Sequence, residues 1–287
     1  MDLEKAFRQR RDDHDRAIIA YLQNAYDTRK DPDKLLARAA FYGRTKVLEA
    51  CLHAGIHPDM HGALCNACGN GQIGPIKILV KAGANVNSRC ELGGTPLTRS
   101  AGGGKLNEVE YLLEQGARLD GALTAAVYGG FPKVVEFLIS RGANLEEHGD
   151  GEGLTPLTAA CHSGHLKGHA IAMLLINAGA NVNYVRKSDE ITPLKFAAAS
   201  ATPEVVQALL DHGAEVDGPA GTAVTALMSA ARANNVATLD VLLRKGANAD
   251  LPCGLPWAQG RTAEGLAELE NRRDAFEFLR TMRLRRN

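Results

Sequence analysis

Two groups of cysteine and histidine residues are the parts of this sequence that could hold a metal ion. Cys65 and Cys68 form a Cys-x-x-Cys pair close to three histidines, and a second group of three histidines follows later in the chain. Thiolate and imidazole are zinc ligands, but a structural zinc site needs four of them arranged as a tetrahedron. For the cysteines, small core residues are the alternative interpretation, and it is the one we expect. The histidines are His53, His57 and His61 in the first group, and His162, His165 and His169 in the second.

A glycine-rich segment with a lysine invites comparison with a phosphate-binding loop. The segment is Gly102–Lys105, but Arg99 stands where such a loop needs an upstream glycine, and Leu106 replaces its Ser/Thr. A glycine-rich turn between two helices explains the segment better. No Ser/His/Asp or Cys/His catalytic set can be assembled either, so we expect no enzyme, no cofactor and no bound metal.

The elements that carry these residues recur at a regular interval. A motif Gly-Ala-x-x-Asn/Asp, with small variations, alternates with Thr-Pro-Leu, and the glycine-to-glycine steps are 28, 33, 26, 37, 34 and 33 residues. A period near 33 indicates a stacked repeat array, which presents a long binding surface and has no natural catalytic pocket. The glycines are Gly55, Gly83, Gly116, Gly142, Gly179, Gly213 and Gly246, and the threonines are Thr95, Thr155, Thr192 and, in a Thr-Ala-Leu variant, Thr225.

The sequence pattern of each repeat predicts two helices. Thr caps the first helix, Pro occupies its first turn and Leu enters the core, and a second helix then carries an apolar stripe at helical spacing. The sequence thus predicts an all-α solenoid of about eight helix pairs over residues 31–287, preceded by a capping helix within residues 1–30. Ile18, Ile19, Tyr21 and Leu22 form the apolar patch of that capping helix. The last pair is degenerate and has Glu264 where Leu is expected.

The repeats resemble the ankyrin repeat family. The string from Thr155 to His165 reads Thr-Pro-Leu-Thr-Ala-Ala-Cys-His-Ser-Gly-His, close to the family's Thr-Pro-Leu-His-x-Ala-Ala-x-x-Gly-His, and the resemblance covers about residues 31 to 280. It implies a right-handed stack of helix pairs with projecting finger loops. It also implies recognition of another protein through the concave groove, where finger tips and the exposed ends of the first helices make contact.

The positions carried over from the family give ten candidate partner-binding residues. Aromatic and Arg residues among them are the usual anchors of binding energy. The fingers before repeats 2 and 4 are too short for a hairpin, so we expect the partner across repeats 5 to 8. The candidates are Phe41, Tyr42, Tyr128, His162 and Arg232 at helix ends, and Tyr184, Arg186, Lys187, Asp189 and Trp257 on fingers.

Trp257 has two interpretations. It directly follows Pro256, in a connection that contains two prolines and is longer than the other glycine-to-threonine connections. There it could anchor a partner, or it could fold back with Leu255 and cover the last helix pair. Because the open end of a terminal repeat needs to be covered, the sequence favours the cap interpretation of Trp257.

For the function of the whole chain, the alternatives are a protein-binding module, including a stand-alone inhibitor or immunity-type neutraliser, and a structural spacer whose face binds nothing tightly. An enzyme is the least favoured alternative.

The overall composition limits the classes of molecule that we expect this chain to bind. Lys+Arg and Asp+Glu are both 33, so the formal charge is zero, which argues against broad binding to nucleic acid or to an anionic membrane. No apolar run approaches the length needed to span a membrane, and the N-terminus is too charged for a signal peptide. Six scattered cysteines indicate reduced thiols in a cytoplasmic protein. We expect the chain alone to be monomeric.

Overall fold

The structure is a computed structural model that describes residues 15–20, 33–90, 93–148, 153–163, 166–200, 202–219 and 222–286. Within these ranges every regular element is a helix, and none of the helices is both long and apolar enough to cross a membrane. The all-α prediction is therefore confirmed. The chain divides into two compact units, Met1–Ala143 and Asn144–Asn287.

The first unit contains repeats 1 to 4, and the second contains repeats 5 to 8. Each repeat consists of a first and a second helix. In the first unit the pairs are Asp33–Tyr42 with Thr45–His53, Ala63–Gly69 with Ile73–Lys81, Pro96–Gly102 with Leu106–Glu114, and Ala122–Gly129 with Pro132–Ser140. In the second they are Pro156–His162 with Leu166–Asn177, Pro193–Ser200 with Pro203–Asp211, Ala226–Arg232 with Val236–Arg244, and Ala263–Leu269 with Arg273–Arg286. One-turn 3₁₀ helices lie at Met60–Gly62 and Pro256–Ala258.

Threonine starts the regular first helices, as predicted. The hydroxyl oxygen of Thr155 accepts the backbone N–H of Thr158, and Pro156 follows in the first turn, where its missing N–H leaves no helical bond unmade. Equivalent caps occur in repeats 3, 7 and 8, at Thr95, Thr225 and Thr262. The leucine after this turn enters the core: Leu97, Leu157, Leu194 and Leu227 are at most 2% exposed.

The shortened connections start their helices differently. Glycine precedes the first helices of repeats 2 and 4, where Gly62 has φ 60° and Gly121 has φ 73°. A left-handed residue turns the chain sharply, and glycine adopts that conformation without a Cβ clash. The chain thus enters Ala63–Gly69 and Ala122–Gly129 over short connections, whereas a longer loop separates Lys81 from Pro96.

Asparagine side chains join successive finger loops within each unit. In the second unit the Asn183 amide donates to the Gly213 carbonyl at 2.8 Å and accepts the Glu215 N–H at 2.9 Å. In the first unit Asn87 bonds Gly116 and Arg118 in the same way, at 3.1 and 2.8 Å. These bonds fix the base of one loop against the next.

We expect Asn183→Ala to lower the free energy of unfolding of the second unit by about 1 kcal/mol, because two hydrogen bonds between neighbouring loops are lost. Urea unfolding measures the change. Asn248→Ala is the matched control, since the Asn248 side chain accepts an N–H from Asp250 in its own loop. An equal loss in both variants would show that the bonds between loops contribute nothing specific.

The prediction that all six thiols are reduced was wrong. Cys65 and Cys90 form a disulfide, with their Cα atoms 5.7 Å apart. Cys65 lies on the first helix of repeat 2, and Cys90 lies on the chain that returns to repeat 3, so the stacking of adjacent repeats brings the two together. The four other cysteines, Cys51, Cys68, Cys161 and Cys253, are free and buried. Burial raises the pKa of Cys51, Cys68 and Cys161 to about 12, so these thiols are poor nucleophiles.

Part of the predicted N-terminal capping helix lies within the described residues. Residues 15–20 are helical and Ile18 is fully buried. Asp15 accepts a hydrogen bond from the buried Arg44 guanidinium of repeat 1 at 2.9 Å. Tyr21 and Leu22, the other half of the predicted apolar patch, lie outside the described residues, and the boundary at residue 30 stays a prediction.

Candidate functional site

The candidate metal and phosphate groups lead to no site in the described part of the chain. Cys65 is bonded to Cys90 and does not pair with Cys68, and no three His, Cys, Asp or Glu side chains converge among the described residues. The glycine-rich segment is a turn between the helices of repeat 3. There Gly104 has φ 69°, and Lys105 extends beside Gly71. His165 lies outside the described residues.

In the first unit, three predicted binding residues are at the ends of first helices. Phe41 and Tyr42 end the first helix of repeat 1, and their rings meet edge to face with centroids 4.9 Å apart. Tyr128, near the end of the first helix of repeat 4, is 61% exposed.

In the second unit, a group that we call the His–Phe cluster combines a helix end with a finger. It consists of His162, Phe196, Arg186 and Asp189. The His162 ring lies 4.4 Å from the Phe196 ring, and the Arg186 guanidinium lies 6.0 Å from the Phe196 centroid. Arg186 Nε donates to Asp189 Oδ1 at 2.8 Å, and a second bond joins Arg186 Nη2 to Asp189 Oδ2. These bonds lower the pKa of Asp189, so the guanidinium keeps an ionised partner.

A second group, the Arg–Trp cluster, lies on repeats 7 and 8 and consists of Arg232, Trp257 and Glu270. The Arg232 guanidinium lies 5.1 Å from the Trp257 centroid, and its Nε donates to Glu270 Oε1 at 2.6 Å. A cation over an indole face is attracted by the ring quadrupole. Trp257 remains 47% exposed, so it presents a large surface that is already supported from one side.

The loop that carries Trp257 is held by backbone hydrogen bonds. Cys253 N–H donates to the Arg261 carbonyl, and Gly254 N–H donates to the Ala223 carbonyl, both at 2.8 Å. Cys253 and Ala258 are the buried residues of this loop, whereas Leu255 is half-buried and Trp257 is exposed. This arrangement favours the anchor interpretation of Trp257 over the cap that the sequence favoured.

Tyr184 and Lys187, the remaining predicted finger residues, differ in their surroundings. The Tyr184 hydroxyl donates to the Gly153 carbonyl at 2.6 Å, and its ring lies 5.3 Å from His148. Tyr184 is thus half-buried and connects two fingers, while Lys187 is exposed. The sequence prediction did not include Phe196 or Glu270. Both lie on the repeat next to their partners, and sequence spacing does not report contacts between repeats.

Lys195 holds two fingers of the second unit together. It takes the place of the family's usual His, and it is buried at 7% exposure. Its ammonium donates to the Glu190 carbonyl at 2.7 Å and to Thr222 Oγ1 at 2.5 Å. Burial lowers the pKa of Lys195, and the nearby Glu190 and Asp189 carboxylates oppose that shift. The finger that contains Arg186 is therefore fixed to the finger that precedes repeat 7.

We expect Lys195→Met to loosen these two fingers without unfolding the repeats. The side chain keeps its buried length, but the two hydrogen bonds between the fingers are lost. Amide hydrogen exchange should become faster in residues 186–191 and 222–224, while global stability changes by less than about 1.5 kcal/mol. Lys187→Met on the exposed finger surface is the matched control and should leave both unchanged. Unchanged exchange in Lys195→Met would show that Lys195 does not order the fingers.

Comparison with known proteins agrees with this architecture. A family model described as ankyrin repeats in three copies matches residues 36–121 and 123–220, and a single ankyrin repeat matches residues 224–253. Together these matches cover well over half of the chain.

The relatives described next are much longer proteins whose names include ankyrin repeats. The chain is 33% identical over 193 residues to ankyrin repeat protein nuc-2 of Neurospora crassa, which covers 63% of this chain and 18% of that protein. It is 34% identical over 132 residues to the ankyrin repeat and KH domain-containing protein mask-1 of Caenorhabditis elegans, covering 45% of this chain and 5% of that protein. The chain thus spans less than a fifth of the length of either relative.

A solved structure of the human ASB11 ankyrin repeat domain is similar at 25% identity with a TM-score of 0.47, over 86% of this chain and 96% of that one. Ankyrin repeats are in general protein–protein interaction modules without catalytic activity. The matched segments and the repeat pairs built from them show that this chain belongs to the ankyrin repeat family.

Proposed function

We propose that this chain binds another protein through the first-helix ends and fingers of repeats 5 to 8. The observation that carries the proposal is the pair of clusters in the second unit. In the first cluster, His162 at a helix end and Arg186 on a finger both lie against the half-buried Phe196 ring. In the second, Arg232 at a helix end lies against the exposed Trp257 ring on a finger. We call the residues His162, Arg186, Phe196, Arg232 and Trp257 the contact surface.

The contact surface is suited to binding because its side chains are already ordered. Asp189 holds Arg186, and Glu270 holds Arg232, so these long side chains lose less conformational freedom when a partner arrives. Trp and Arg are also the residue types most often found as binding hot spots. Since both guanidiniums keep their carboxylates, a partner can cover them without leaving an unpaired buried charge.

The lengths of the finger loops and the contacts between them indicate which of the two units binds the partner. Short connections precede repeats 2 and 4 in the first unit, so fewer finger residues accompany its exposed aromatic side chains. In the second unit, Lys195 and Tyr184 join successive fingers. A row of linked fingers beside exposed helix ends offers the larger pre-ordered surface. We therefore place the partner on the second unit.

The experiment begins with a partner captured on the purified chain and then purified and rebound to it. Amide hydrogen exchange of the chain with and without this partner locates the interface. We expect protection in residues 184–200 and 229–262. Protection confined to residues 1–120 would contradict the proposed surface, and failure of any candidate to rebind at micromolar concentration would favour the structural spacer.

Variants test the same surface independently. Phe196→Ala should weaken binding of the purified partner roughly tenfold or more, whereas Phe41→Ala in the first unit should not. The activity of the captured partner, measured with and without this chain, then tests the neutraliser form of the proposal. Lost activity supports a neutraliser, and retained activity limits the function to recognition.

A further inference from the structure

Glu264 occupies a position that is filled by leucine in the regular repeats. It is the second residue of the first helix of repeat 8, after the capping Thr262. The residues at the same position in repeats 3, 5, 6 and 7 are leucines that are at most 2% exposed. The Glu264 side chain is 16% exposed, and its Oε1 lies 3.2 Å from Arg283 Nη2 on the last helix. A carboxylate therefore lies at a position where the regular repeats have a buried leucine side chain.

A cavity of about 210 Å³ opens beside this carboxylate. Leu243, Leu279 and Met282 form its apolar wall, and Asp250 and Arg283 lie at its polar side together with Glu264. An apolar protein cavity of roughly 150 Å³ accommodates benzene. The space is thus large enough for a ring-sized group whose polar end reaches Glu264.

We propose that this cavity binds a small organic cation, with an apolar body against Leu243, Leu279 and Met282 and one ammonium group against Glu264. This site shares no residue with the contact surface and does not depend on the proposed partner. The carboxylates of Glu264 and Asp250 outnumber the single guanidinium, which favours a cation over an anion. The Arg283 side chain is 58% exposed, so its guanidinium can stay hydrated when an ammonium group takes its place beside the Glu264 carboxylate.

The charge preference is tested with three ring compounds of one size. Benzylamine, benzyl alcohol and benzoate are titrated against the full chain, and binding is followed by the methyl NMR signals of Leu279 and Met282. We expect saturable shifts with benzylamine, binding at least roughly tenfold weaker with benzyl alcohol, and no shifts with benzoate. Equal binding of benzylamine and benzoate, or no saturable shift with benzylamine, would overturn the proposal.

Two substitutions of Glu264 distinguish the contribution of the cavity space to benzylamine binding from the contribution of the carboxylate charge. Glu264→Leu restores the side chain of the sister repeats, and we expect it to raise the melting temperature by about 3 °C while abolishing benzylamine binding. Glu264→Gln should remove the preference for benzylamine over benzyl alcohol. Glu268→Gln, at an exposed carboxylate on the same helix, is the control and should bind benzylamine like the unmodified chain. Benzylamine binding that persists in Glu264→Leu would refute the site.

Discussion

Replacing Cys65 and Cys90 together with serine should lower the free energy of unfolding by about 3 kcal/mol. The disulfide closes a loop with a sequence separation of 25 residues, and the closed loop restricts the unfolded chain. Because repeats contact only their neighbours, the loss should fall on the transition of the first unit. Urea unfolding followed by amide exchange of residues 63–95 measures it.

Thiol reductant provides the matched control for this prediction. The unmodified chain should fall to the stability of the double variant when reductant is present, and the double variant should not respond to reductant. A thiol titration of the unfolded, unreduced chain should find the four free cysteines and not all six. Six titrating thiols, or unfolding midpoints that reductant leaves unchanged, would show that the disulfide does not form in solution.

The fold could be predicted from the sequence because every repeat contains its own local signals. Thr155 caps a helix through Thr158, three residues away, so the contact is visible in the sequence. The disulfide could not be predicted in this way. Spacing alone associated Cys65 with Cys68, whereas stacking of adjacent repeats brings Cys65 to Cys90. The predicted cytoplasmic location relied on reduced thiols, and it stays a prediction without that support.

The sequence analysis named most residues of the two clusters, but it did not include Phe196 or Glu270 and did not predict which residues lie together. Arg186 and Asp189 lie three residues apart, and their pairing is local. Phe196 and Glu270 each join their cluster from the next repeat, and such contacts depend on the stacking geometry. Tyr184 was predicted to face a partner, which stays a prediction, and its hydroxyl donates to the Gly153 carbonyl of a neighbouring finger, a contact that spacing did not indicate.

Trp257→Ala should weaken partner binding by about 2 kcal/mol, which corresponds to roughly thirtyfold in Kd. The ring is almost half exposed and already rests on Arg232, and its loop is held by hydrogen bonds to Arg261 and Ala223. The unbound chain should lose less than about 1 kcal/mol of stability, because the indole contributes one cation–π contact while Cys253 and Ala258 fill the core. Titration calorimetry with the purified partner and thermal melting of the chain alone measure the two quantities.

Tyr128→Ala is the matched control for Trp257→Ala. It removes a more exposed aromatic ring, in the first unit, and should leave Kd unchanged within about twofold because the proposed contact surface lies on repeats 5 to 8. The cap interpretation makes the opposite prediction for Trp257→Ala: a clear drop in melting temperature with partner affinity intact. That outcome would assign Trp257 to covering the last helix pair. It would leave the His–Phe cluster as the remaining candidate anchor, because Asp189 holds Arg186 and the Phe196 ring packs against His162.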